Sequence, residues 1–112
     1  MENDAYKEDK ILTLSQAELN ALKKSILYLK FECEETSSLL YAGSPLINSA
    51  LYKIFELDDL SNISKGFYAK RNIANEKFIL DKKKRYALEQ GNEYDPSNDH
   101  SFKDYIFPFP ER

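Results

Sequence analysis

One apolar rhythm constrains this chain more than any other feature. Leu19, Leu22, Ile26, Leu29, Cys33, Thr36 and Leu40 recur at alternating steps of three and four. That spacing lines one stripe of an α-helix. Leu27 and Phe31 widen the stripe, as a helix in a globular core requires. Immediately upstream, Ser15 and Glu18 stand at the spacing of a capping box, with Leu14 and Leu19 at the staple positions around it. The pattern predicts a first helix from Ser15 to about Tyr41, ended at Gly43.

Ser44-Pro45 then restarts a helix with proline at its first position. Leu46, Ile47, Ala50, Leu51, Ile54 and Phe55 give this second helix its face, and Asp58-Asp59 should end it. Ser61 or Ser64 is expected to cap a third helix, and Gly91 to close it. The third amphipath is broad. Phe67, Ile73, Ala74, Phe78, Leu80, Ala87 and Leu88 form its expected face, Ile79 and Tyr86 fall opposite, and Gly66 or Asn72 marks a break point. Residues 91–101 are rich in Gly, Asn, Asp, Ser and Pro and read as a loop. The tail turns aromatic at Phe102, Tyr105, Phe107 and Phe109. It is expected to pack in extended form across the helices, because an exposed apolar patch of that size is costly.

These segments predict an all-α fold: a small three- to four-helix bundle with an aromatic C-terminal tail packed across it. The 112 residues suit a single domain, with a polar arm over 1–10, a helical core over 15–90, and loop and tail over 91–112. The absence of Val and the 13 Lys against 3 Arg reflect an AT-rich coding sequence, so the missing Val weighs little as fold evidence. A core of this size needs neither disulfide nor metal. The single Cys33 suits a reducing compartment. Residues Met1 to Lys10 hold no apolar run that would act as a signal peptide, and no stretch is long enough to span a membrane. A cytoplasmic setting is expected.

Charge is uneven. Residues 1–62 carry −5, residues 63–91 carry +5 and residues 92–112 carry −3. In the basic third, Lys82, Lys83, Lys84 and Arg85 are the candidate nucleic-acid contact, since clustered cations release counterions from phosphates. Four consecutive residues wrap around a helix, so a solvated helix end is the preferred reading. In the acidic third, Glu32, Glu34 and Glu35, with Glu56, Asp58 and Asp59, form the candidate patch for a basic protein partner. If the first two helices form a hairpin turning at Gly43, both groups should lie in one layer.

Catalytic chemistry has no foothold. His100 stands alone in a polar loop, Cys33 falls on an apolar stripe, and the three glycines are far apart. That leaves no expected metal site, nucleophilic pair or phosphate loop, and no cofactor. The expected function is therefore a non-catalytic protein-binding module of the inhibitor, immunity-protein or antitoxin type, blocking a basic partner with acidic surface. The alternatives are a small nucleic-acid-binding regulator using the basic third helix, or a structural subunit, homo-oligomeric or not, of a larger assembly.

Overall fold

The computed structural model describes residues 8–58 and 61–111, with backbone only for 61–64. Among them the fold is all-helical, a small bundle without strands. The elements are α1 (Gln16–Phe31), a 3-10 turn (Thr36–Ser38), α2 (Leu39–Ala42), α3 (Pro45–Leu57), α4 (Ser61–Tyr68), α5 (Ile73–Glu89), a second 3-10 turn (Pro96–Asn98) and α6 (Phe102–Ile106).

Several termini follow the sequence signals. The Ser15 hydroxyl accepts from the Glu18 N–H at 3.1 Å, and the Glu18 carboxylate accepts from the Ser15 N–H at 2.8 Å, completing the capping box. Ser44 caps α3 through the Ile47 N–H, with Pro45 at the first position. The α4–α5 break falls at Asn72, whose side chain caps α5 through the Asn75 N–H. The α5 C-terminus closes in a Schellman motif. Gly91 adopts φ +75°, Asn92 N–H reaches the Ala87 carbonyl at 2.8 Å, and Gly91 N–H reaches that of Leu88 at 3.0 Å. Asp59, expected at the end of the second helix, lies outside the described residues, as do the Ser61 and Ser64 side chains.

The first helix is shorter than its rhythm predicts. It stops at Phe31, ten residues before Tyr41, and the chain restarts as a 3-10 turn and the one-turn α2. Glu32, Glu34 and Glu35 are the physical reason. Acidic side chains are unfavourable at the negative pole of a helix, and Thr36, Ser37 and Ser38 are weak helix formers. Cys33 N–H shares the Tyr28 carbonyl with Glu32 N–H, so the Leu29 carbonyl is left without its intrahelical donor.

The buried faces are also rotated from those expected. Leu22, Leu40, Leu46, Ile73 and Leu88 are exposed, whereas Ile79, expected on the far side of α5, is fully buried. On α1 and α5 two lysines explain the rotation: Lys30 and Lys82 have no exposed surface and occupy the inward stripes. A stripe drawn through apolar residues alone passes them by.

The main core joins Phe31 of α1, Ile79 of α5, Ile106 of α6 and Phe109 of the tail. The tail does pack across the bundle, but residues 102–106 are helical rather than extended. Phe109 meets Phe31, Tyr68 and Phe67 at ring-centroid distances of 5.5, 5.3 and 5.6 Å. Gly43 is required by close approach rather than by backbone conformation, because a Cβ there would run into the Tyr105 ring.

Candidate functional site

Helix ends set the electrostatics of this molecule. Lys82 projects from α5 onto the frayed end of α1. Its ammonium donates to the Cys33 carbonyl at 2.7 Å, the Leu29 carbonyl at 3.3 Å and the Ser38 hydroxyl at 2.7 Å, and it lies 4.8 Å from the Phe78 ring centroid. Lys30 does the same for two other helices. It donates to the Ala42 carbonyl at the end of α2, to the Asp104 carbonyl of α6 at 3.2 Å, and to Asn48 Oδ1 of α3 at 2.9 Å. The Asp104 carbonyl needs outside donors because residue 108 is proline and has no N–H to offer. Asn48 Nδ2 supplies a second, at 2.8 Å. Two buried lysines thus cap three helix C-termini across the bundle. Burial pushes the Lys30 ammonium down to about 7, against the pull of Asp104, and it lowers Lys82 as well.

Three of the four expected nucleic-acid contacts bond to other parts of the chain, two of them inward. Lys82 is buried at those carbonyls. Lys83 pairs with Asp99 at 2.6 Å and lies 3.6 Å from the Tyr105 ring centroid. Arg85 donates to the Glu34 carbonyl at 2.9 Å. Lys84 and Arg85 remain exposed. Burial would raise the Asp99 carboxyl, but bonds from Lys83, Tyr94 and Ser101 outweigh it and hold it down at about 2.

The acidic residues do not form one patch. Asp58 is buried, its carboxylate accepting from Lys23 at 2.6 Å and Gln16 at 2.8 Å. Those contacts place the end of α3 beside the start of α1, while Asn48 at the start of α3 meets Lys30 near the end of α1. The hairpin is antiparallel, but its early turn offsets the two groups. Glu56 and Asp58 lie near one end, and Glu32, Glu34 and Glu35 at the other, about 20 Å away along α1 at 1.5 Å per residue. The shared layer expected from a turn after Tyr41 is therefore not formed.

What remains is the loop over residues 32–35. Glu32, Glu34 and Glu35 are exposed, and among the described residues their carboxylates take no hydrogen bond or ion pair. The loop backbone, by contrast, is tied down. Lys82 holds Cys33, Arg85 holds Glu34, and the Ser38 hydroxyl donates to the Glu35 carbonyl at 2.7 Å. Exposed Tyr28 precedes the loop, and exposed Leu40 and Tyr41 follow it. Sequence reasoning found the carboxylates but missed what fixes them: the spacing of Lys30 with Leu27 and Phe31, and of Lys82 with Ile79, was the available signal.

Among the described residues, no group of three or more His, Cys, Asp or Glu is placed to hold a metal, and no helix is long and apolar enough to cross a membrane. His100 is exposed and Cys33 half-buried. Compared with family models, with curated proteins and with solved structures, the chain matches none.

Proposed function

We propose that this chain is a non-catalytic protein-binding module, acting as an inhibitor, immunity protein or antitoxin in the cytoplasm by occupying a basic surface of its partner. The observation that carries the reading is the loop over 32–35, which presents three carboxylates, unpartnered among the described residues, on a backbone held by Lys82, Arg85 and Ser38. A loop fixed before binding loses little conformational freedom on association. Clustered acidic charge steers a basic partner and fixes its register. Tyr28, Leu40 and Tyr41 flank the loop and supply the apolar and aromatic surface that carries most binding energy at protein interfaces. Glu56 and Asp58 have no part in this surface. The inward engagement of Lys82 and Lys83 counts against a nucleic-acid contact through α5.

The test is capture of partners from source lysate on the tagged chain, with and without nuclease, followed by binding of the captured partner to purified variants. A stoichiometric protein should survive nuclease. Its affinity should fall at least tenfold with Glu32→Lys, Glu34→Lys and Glu35→Lys combined, and should weaken as salt rises. Recovery that collapses with nuclease, or a triple variant that binds like the wild type, overturns the reading.

A further inference from the structure

A second surface lies between α3, α4 and the tail. There Tyr52 and Phe55 of α3, Tyr68 of α4, and Phe107 and Pro108 of the tail line a cleft of ≈ 270 Å³. Its walls are almost wholly apolar, and it carries one charge of each sign, Lys65 and Glu56, both exposed. The arm over residues 8–14 is rooted beside its Glu56 side, because Gln16 at the start of α1 is bonded to Asp58, less than one turn beyond Glu56. This arm is irregular up to the capping serine. It carries Ile11 and Leu12 at 98% and 75% exposure, the first as open to solvent as a side chain can be. The arm does not cover the cleft of its own chain.

We propose that the cleft receives the Ile11–Leu12 arm of a second copy of this chain, in a reciprocal two-fold exchange. An arm rooted beside the cleft can reach the same cleft on a copy that meets it end to end, and the same step then fills the first cleft in return. This is the self-complementary geometry of a two-fold dimer. The charges match as well. Glu8, Asp9 and Lys10 immediately precede the apolar pair and meet a cleft mouth carrying Lys65 and Glu56. Burying two aliphatic side chains among aromatic rings supplies the apolar core of the contact, and the flanking charges set its direction. The exchange uses none of Glu32, Glu34 and Glu35, so its failure and that of the acidic-loop reading are told apart.

Sedimentation equilibrium of the full chain over a wide concentration range tests this. The wild type should dimerise. Ile11→Asp with Leu12→Asp, on an arm that makes no core contact, should weaken dimerisation at least tenfold while leaving the helical circular dichroism unchanged. Lys65→Glu should weaken it too, and Glu8→Lys with Asp9→Lys should restore it in that background. A wild type monomeric at every concentration overturns the proposal, whether its cleft takes its own arm or an unrelated partner. So does a dimer that the arm variant leaves intact.

Discussion

Replacing Lys82 by Met tests whether a buried cation really secures the end of α1. Methionine keeps an unbranched apolar stem against Phe78 and removes only the ammonium. Of its three acceptors, Ser38 is the least affected, because its hydroxyl still donates to the Glu35 carbonyl. The Leu29 carbonyl loses its donor outright, and so does that of Cys33, because the one Ser38 hydroxyl hydrogen is already given to Glu35. Each orphaned buried carbonyl costs about 1–3 kcal/mol. Against this stands the relief of no longer burying a charge, the term that lowers the Lys82 pKa. We expect a net loss of about 2 kcal/mol, the orphaned carbonyls outweighing that relief. With an unfolding entropy of about 2.1 cal/mol/K per residue, the melting temperature should fall by roughly 8 °C. Thermal and urea denaturation followed by circular dichroism would measure it, with the exposed neighbour Lys84→Met as control, expected within about 0.5 kcal/mol of wild type. If Lys82→Met is as stable as Lys84→Met, or more stable than wild type, the cost of burying the charge dominates and the capping argument fails.

Three further outcomes follow from the same contacts. The free lysine pKa of 10.5 falls to about 7 at Lys30 in the folded chain, so between those values the unfolded chain holds a proton that the folded chain has released. Stability should therefore rise with pH across that window, and melting curves from pH 7 to 9 should climb relative to Lys30→Met; parallel curves would contradict it. Gly43→Ala should cost about 1–3 kcal/mol by driving a Cβ into Tyr105, and much less in a Tyr105→Ala background, so an additive double-mutant cycle would count against that packing. Asp58→Ala should cost about 3 kcal/mol because it strands the half-buried Lys23, whereas Glu56→Ala should stay within about 0.5 kcal/mol; equal losses in urea denaturation would place both residues at the surface.

Much of this fold is legible in the sequence where the signals are local. The capping box at Ser15, the Ser44-Pro45 start and the Gly91 stop each act within a few residues, and each is present in the structure. The burial of the tail followed from its aromatic content, although α6 did not. The rest depends on contacts across the chain. The spacing of Lys30 with Leu27 and Phe31, and of Lys82 with Ile79, turns each lysine inward, but what receives its ammonium is not written locally, because the acceptors come from residues 12 to 74 positions away. Missing them turned the expected faces of α1 and α5 and carried the first helix ten residues too far. The same error placed Asp58 with the acidic surface and Lys82 with the basic one, although both face inward.

The capping of helix ends across the bundle bears on how the chain can come apart. An ordinary helix carries its own stop and can form, end and fray without its neighbours. Here α1 is held at Phe31 by a group 51 residues downstream of its last residue, and α2 and α6 share the one ammonium that α1 supplies. No end is complete until the far element has arrived, so the helices should gain stability together rather than one by one. Pieces of the chain cut between α4 and α5 should then be largely unstructured apart and regain helix only when mixed.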